Sequence, residues 1–274
     1  MGKKIFTIVF AVVFIGGASW LLKTLPLGLS GNAYATPDQG KNCSKCHGSD
    51  AKGIAKGFKG FTDQFMMETC NDFSSSGTNP FFLLQPGFQL ILAGKDKKDD
   101  VNLTITVLNE TRVIQYTDNV LDTAETRVVE ERETINGELA EVSRNYFAIC
   151  DRTNSVFYFG EDVDFYEGGV IVGHEGAWLA GAAGARAGII MPGVILLGAK
   201  YFQEVAPGVA LDRAEIVSIG EAVQTPAGDF TDCLKTEETS PLQGGKEYKF
   251  YAPGIGLIKD GVLELTSYGT VVLP

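Results

Sequence analysis

The stretch Val101-Asn102-Leu103-Thr104-Ile105-Thr106-Val107 decides the fold class. Its apolar side chains occupy every second position, and polar side chains fill the positions between them. Because successive side chains of an extended chain point to opposite faces, this alternation predicts a β-strand with one buried face.

Comparable runs continue to the C-terminus and are separated by turn-forming pairs. The runs are Thr126–Ile135, Val142–Cys150, Val156–Phe165, Val170–Gly173, Asp212–Ser218, Phe230–Glu238, Tyr248–Tyr251 and Val262–Tyr268, and the pairs include Asn136-Gly137 and Asp260-Gly261. Short strands joined by tight turns are typical of antiparallel proteins. We therefore predict that residues 80–274 form a mainly β domain, an antiparallel sheet, barrel or sandwich, of unassigned function.

The N-terminus resembles an export signal. Lys3 and Lys4 precede the apolar run from Ile5 to Leu22, and Ala33-Tyr34-Ala35 follows. A basic start, an apolar stretch and small residues at the end characterise a secretory signal peptide, so residues 1–35 are predicted to be removed. The alternative is an uncleaved membrane anchor, since the run is just long enough to span a bilayer. Both interpretations place the protein in the periplasm or outside the cell.

Residues 36–73 are predicted to form a short α-helical module. Ile54, Phe58, Phe61 and Phe65 are spaced by four, three and four residues, which is the spacing of one helix face. The polar, turn-rich residues 74–79 are predicted to be a linker between this module and the β domain.

The motif Cys43-Ser44-Lys45-Cys46-His47 lies in this module. On a helical turn the two thiols and the imidazole share one face, so both sulfurs can bond one haem while His47 binds the iron. This spacing is the signature of c-type haem attachment. The alternatives are a disulfide or a zinc site, for which Cys70 or His174 could supply a fourth ligand.

Residues 42–53, Asn-Cys-Ser-Lys-Cys-His-Gly-Ser-Asp-Ala-Lys-Gly, resemble the haem-binding turn of class I cytochromes c. The resemblance covers about residues 38–70 and implies one covalent haem c with His47 as proximal ligand. It also implies a distal Met, and the function of electron transfer or redox relay with a protein partner. The candidates for the sixth ligand are Met66, Met67 and His174, or none of them.

An open sixth position would make the protein a haem enzyme or gas sensor instead. No other catalytic set is visible in the sequence, because one of the two histidines is assigned to iron. A third possibility is an envelope domain that binds a ligand or partner and carries an accessory haem. Residues 79–268 resemble an uncharacterised group of secreted bacterial proteins through Asn79-Pro80-Phe81-Phe82 and residues 251–257, Tyr-Ala-Pro-Gly-Ile-Gly-Leu, and this resemblance implies no activity.

The net charge, the cysteines and an acidic cluster give further expectations about partners, disulfides and metal binding. The formal net charge of −11 argues against nucleic acid as a partner. Cys150 and Cys233 both lie in predicted strands, so we expect a disulfide between them in an oxidising compartment. The acidic residues Glu161, Asp162 and Asp164 could bind calcium, but without EF-hand spacing they are predicted to form a solvated face.

Overall fold

The computed structural model describes residues 60–70 and 72–273, and these form a largely antiparallel β structure. A single turn of 3-10 helix, Met67–Thr69, precedes the strands. The strands are β1 (Phe73–Ser74), β2 (Thr78–Asn79), β3 (Phe82–Leu83), β4 (Phe88–Asp96), β5 (Asp99–Gln115), β6 (Thr123–Ile135), β7 (Glu138–Cys150), β8 (Val156–Glu167), β9 (Val170–Gly173), β10 (Trp178–Leu179), β11 (Arg186–Met191), β12 (Lys200–Phe202), β13 (Glu204–Val205), β14 (Arg213–Thr225), β15 (Gly228–Thr239), β16 (Glu247–Ala252), β17 (Gly256–Asp260) and β18 (Leu263–Thr270). The mainly β prediction is confirmed.

The 16-stranded sheet curves into a barrel-like ring in which chain neighbours are mostly sheet neighbours. In one direction from β4, the sheet order runs through β5, β6, β7, β8 and β11 to β13. In the other direction, β4 pairs with β18, and the order runs on through β17, β16, β15 and β14 to β12. The two ends of the sheet are β12 and β13, separated in the chain only by Gln203. Gly188 lets β11 approach this segment, because a Cβ there would lie 2.5 Å from the carbonyl oxygen of Gln203.

The alternation seen in the sequence determines which side chains fill the interior. Val101, Leu103, Ile105 and Val107 are at most 9% exposed, as the pattern predicts. The strands β6 and β7 are joined by Asn136-Gly137, whose φ angles of 53° and 85° are those of a type I′ hairpin turn. This turn sets the register of the two strands, so the inward positions of β6 oppose the inward positions of β7.

Residues 75–87 close one end of the barrel, and we call this segment the cap. Asn79 Nδ2 donates hydrogen bonds to the carbonyl oxygens of Asn154 (2.9 Å) and Pro192 (3.0 Å) on one side. On the other side, the carbonyl of Pro80 accepts a 2.7 Å hydrogen bond from Gly254 N. Because the cap contacts both sides, it covers the interior at this end.

The cap includes most of the predicted linker, so the prediction of a linker at 74–79 is wrong. Ser74 pairs with Ile149 of β7, and Asn79 is 1% exposed. Ser75 is also buried, its Oγ donates to Glu125, and its carbonyl accepts from Arg127 Nε at 2.8 Å. Turn-forming residues therefore bend a packed segment here. Amino-acid composition alone does not distinguish such a segment from a linker.

This packing predicts that the cap resists proteolysis. A protease needs an extended, accessible chain, and the buried hydrogen bonds of Ser75 and Asn79 hold this segment in place. Among the described residues, limited digestion should instead begin at the turn containing Val120 and Leu121, which are 72% and 82% exposed. Mass spectrometry of the first fragments is the measurement, and early cleavage within residues 74–79 would contradict the structure.

The predicted helix is also wrong where the structure describes it. Ile54 and Phe58 lie outside the described residues, but Phe61 and Phe65 lie in extended or irregular chain. Phe61 packs edge-on against Phe202, and Phe65 packs edge-on against Phe157. Their spacing therefore reflects separate contacts with the barrel and not one helix face.

The disulfide joins Cys70 to Cys150 and not Cys150 to Cys233. Cys233 is a buried free thiol on β15, far from Cys150 in the strand order. Cys70 lies close to Cys150 because β1 begins soon after Cys70. The first residue of β1, Phe73, pairs with Cys150 of β7. The prediction that Cys233 lies in a strand is correct, but strand membership does not make two cysteines neighbours.

The described residues include no helix with the length and apolar character needed to cross a membrane.

Candidate binding site in the barrel interior

The predicted haem residues Cys43, Cys46 and His47 lie outside the residues that the structure describes. Within residues 60–70 and 72–273, no group of three or more His, Cys, Asp or Glu side chains is arranged to hold a metal ion. Cys70 is bonded to Cys150, so its sulfur cannot serve as the fourth ligand of a zinc site. The zinc alternative thereby loses one of its two candidate ligands.

The three candidate sixth ligands of the predicted haem have different surroundings. Met66 is 64% exposed, whereas Met67 is half-buried and packs against the hydrophobic core. The Nδ1 atom of His174 lies 2.8 Å from Asp164 Oδ1 and 2.9 Å from the carbonyl oxygen of Val163. Because these contacts engage Nδ1, a metal bond from His174 would have to use Nε2.

The acidic residues of β8 do not form one group. Asp162 faces Arg112 and Tyr146, with its Oδ2 atom 2.9 Å from Arg112 Nη1 and 2.6 Å from Tyr146 Oη. Glu161, one residue earlier, points to the other face of the strand and is 1% exposed. The prediction of a solvated face is therefore wrong for Glu161.

Four glutamates line one wall of the interior. They are Glu131 and Glu133 on β6, Glu141 on β7 and Glu161 on β8, and each is at most 3% exposed. Glu133 pairs with Glu141 across the two strands, and Ser143 Oγ lies 2.6 Å from Glu141 Oε1. Oε2 of Glu131 and Oε2 of Glu141 are buried with no hydrogen-bond partner among the described residues.

The facing wall carries Lys249 on β16. Its Nζ atom lies 3.2 Å from Glu238 Oε2 and 3.4 Å from Asp260 Oδ2. Lys249 and Asp260 are 4% and 1% exposed, and Glu204 nearby is 1% exposed. The charges of Lys249 and Asp260 shift the pKa of Glu131, although four strands separate β6 from β16 in the sheet. The two walls therefore face each other across the interior.

Burial raises the pKa of several of these carboxyls to neutral pH or above. Burial raises the pKa of Glu131 to about 8, opposed by Lys249 and assisted by Asp260 and other carboxyls. It likewise raises the pKa of Glu141 to about 7 and that of Asp260 to about 7, against the stabilising contacts of Ser143 and Lys249. A neutral carboxyl can donate as well as accept a hydrogen bond.

An apolar cavity of about 40 Å³ lies between the cap and this acidic region. Phe82 and Leu83 of the cap form part of its lining, together with side chains of β4, β5, β6, β16 and β17. Glu131 is the charged side chain in this lining, and Tyr251 also contributes to it. The cavity thus combines apolar walls with one carboxyl, which is the usual composition of a small-molecule site.

Sequence reasoning missed these interior acids, although a pattern pointed to them. Alternate positions of β6 are occupied by Val129, Glu131, Glu133 and Ile135. Because the first and last of these residues are apolar, the two glutamates between them are also expected to point inward. Glu130 and Arg132, at the other positions, obscure the pattern by making the run charged on both faces.

Comparison with known proteins adds little to this site. No family model matches the chain, and no curated protein matches it. Among solved structures, the chain is similar to a crystal structure of a candidate lipoprotein from Parabacteroides distasonis, with 14% sequence identity and a TM-score of 0.33. The alignment covers 71% of this chain and 100% of that one. A likeness at this TM-score carries no weight for fold or function.

Proposed function

We propose that this is an exported protein that carries one covalent haem c and transfers electrons to or from a redox partner. The observation that carries the proposal is the motif Cys43-Ser44-Lys45-Cys46-His47. Its donor set suits the group, since two thiols three residues apart can form thioethers and the adjacent imidazole can bind iron.

The Cys70–Cys150 disulfide supports the exported location. Disulfides persist in the periplasm and outside the cell and are rare in a reducing cytosol. The predicted signal peptide at residues 1–35 is in agreement, and the protein would be attached to a membrane only if that segment stayed uncleaved. Covalent attachment of the cofactor suits a compartment in which a dissociated haem would be lost.

The same disulfide joins Cys70, near the C-terminal end of the predicted haem segment, to the barrel. Cys70 follows His47 by 23 residues and is bonded to the wall strand β7. In this proposal the haem supplies the one-electron chemistry, Cys43 and Cys46 retain it, and His47 is the proximal ligand. The sixth ligand is Met66, Met67, His174 or none, and enzymatic activity is not part of the proposal.

The attachment can be tested on protein made with a haem-maturation system. We expect wild-type protein to keep its haem through acid–acetone extraction and to give a haem stain on a denaturing gel, because thioether bonds survive both. Cys46→Ser should lose most of the stain, and Ser44→Ala, a change within the same motif, should keep it. A colourless wild-type protein, or one that holds stoichiometric zinc, would overturn the proposal.

A further inference from the structure

We propose that the cavity beneath the cap binds a small molecule with an apolar body and a positively charged head group, and that Glu131 contacts the head group. A short primary alkylammonium represents this class. The site lies in the barrel and is independent of the proposed haem function.

The walls of the cavity define the body of the ligand. Leu90 on β4, Ile105 and Val107 on β5 and Val129 on β6 line one side, and Phe82 of the cap contributes from above. Such surfaces offer no hydrogen bonds, and filling the void with carbon atoms restores dispersion contacts that an empty space lacks. An unbranched alkyl chain of a few carbons therefore suits the volume of about 40 Å³.

Glu131 defines the head group. It is 2% exposed, and its buried Oε2 atom has no hydrogen-bond partner among the described residues. A buried polar group without a full set of partners is costly and rare in native proteins, so a ligand donor that reaches the Glu131 carboxyl, which lines the cavity, offsets part of that cost. An ammonium group supplies three donors and a charge.

The carboxyl groups around Glu131 favour a cation over an anion. Glu141 and Glu161 lie on the same wall as Glu131, and Asp260 lies on the facing wall. Lys249 opposes these carboxyls, but Glu238 and Asp260 already lie within 3.4 Å of its Nζ atom. An ammonium stabilises the ionised form of Glu131, whereas a ligand carboxylate gains no such pairing among these acids and has to compete with Glu238 and Asp260 for Lys249.

Binding has a defined proton balance. The neutral Glu131 carboxyl releases one proton to solvent as it forms the ion pair, and the ammonium keeps all of its protons. No covalent bond forms or breaks in the ligand. A net release of protons on binding near neutral pH is therefore part of the proposal.

The test uses the full-length protein and three probes of equal chain length: n-butylammonium, butan-1-ol and butyrate. Methyl resonances of Leu90, Val107 and Val129 report occupancy by NMR titration. We expect saturable shifts with n-butylammonium, and binding of butyrate weaker by at least about tenfold, as for other charge-assisted contacts. Butyrate binding as tightly as n-butylammonium, or no saturable shift with the latter, would overturn the proposal.

Substitutions separate the head group from the cavity. Glu131→Gln keeps the size of the side chain and removes the ionisable group, so n-butylammonium should bind about tenfold more weakly while butan-1-ol changes little. Glu130→Gln, on the other face of the same strand, is the matched control and should leave both affinities unchanged. Equal affinity of the Glu131→Gln and wild-type proteins for n-butylammonium would show that Glu131 is not the contact.

A second variant tests the location. Val107→Phe places a larger side chain in the cavity and should abolish shifts with both n-butylammonium and butan-1-ol. Undiminished binding by a folded Val107→Phe protein would place the probe elsewhere and refute the site. Haem staining of each variant should be unchanged, which distinguishes failure of this site from failure of the haem proposal.

Discussion

The free energy of unfolding is expected to fall as the pH rises from about 5 to about 8. Burial raises the pKa of Glu131 from 4.5 to about 8, that of Glu141 from 4.5 to about 7, and that of Asp260 from 3.8 to about 7. Between the ordinary and the raised pKa the folded state binds more protons than the unfolded state, so stability decreases with pH. The stabilisation that these three carboxyls provide is fully present below about pH 4 and is lost as the pH passes through their raised pKa values.

The size of this effect makes it measurable by urea denaturation. A pKa raised from 4.5 to about 8 corresponds to about 5 kcal/mol for Glu131 if the group must ionise inside the barrel. We expect a loss of several kcal/mol between pH 5 and pH 8, because Glu131, Glu141 and Asp260 all bind protons more tightly in the folded protein than in the unfolded chain. A flat pH profile would mean that water reaches these carboxyls or that they are ionised in the folded state.

Glu131→Gln isolates one contribution to this profile. Glutamine has nearly the shape of a protonated glutamate, so the variant should differ little from wild type at pH 5 and should be more stable at pH 8. Glu130→Gln provides the control because Glu130 is on the other face of β6, paired with Arg144 at 3.4 Å. Its effect should be within about 1 kcal/mol at both pH values.

Removal of the disulfide is expected to have a comparable effect. Cys70 and Cys150 are 80 residues apart, and a cross-link that closes a loop of this length restricts the unfolded chain by about 4 kcal/mol. The double variant Cys70→Ala/Cys150→Ala should lose about that amount in urea denaturation. Because the bond also holds the chain before β1 against β7, the loss includes native contacts near Cys70.

Cys233 provides the matched control for this experiment. Its buried thiol has no cross-link, so Cys233→Ala should cost only the packing of one sulfur, on the order of 1 kcal/mol. Peptide mapping without reductant should recover Cys70 joined to Cys150. Recovery of Cys150 joined to Cys233, or an equal loss of stability from Cys233→Ala, would contradict the structure.

The strands could be predicted from the sequence because their signal is local. Alternation in residues 101–107 and the Asn136-Gly137 pair each describe a few neighbouring residues, and the structure contains β5 and the turn after β6 at these positions. The cap and the disulfide could not be predicted in this way. Both depend on contacts between residues 50 or more positions apart, such as Ser75 with Glu125 and Asn79 with Asn154, for which one sequence carries no periodic signal.

The candidate site was harder to predict than the fold. The cavity is formed by side chains from five strands and the cap, and its one carboxyl belongs to a run that is charged on both faces. The raised pKa of Glu131 results from burial and from charges on a facing wall, so it depends on how the sheet curves. The haem motif, by contrast, is contained in five consecutive residues and remains a prediction from sequence.

The pairing of β18 with β4 has a consequence for how the chain acquires its structure. Thr266 Oγ1 donates to the carbonyl oxygen of Ile91 across 175 residues, so the first long strand gains its second neighbour from the last one. Contacts between such distant residues form slowly, because the intervening chain must be ordered first. Until β18 has formed, β4 therefore presents an open edge that can pair with other chains, and a truncation before Leu263 should cause aggregation.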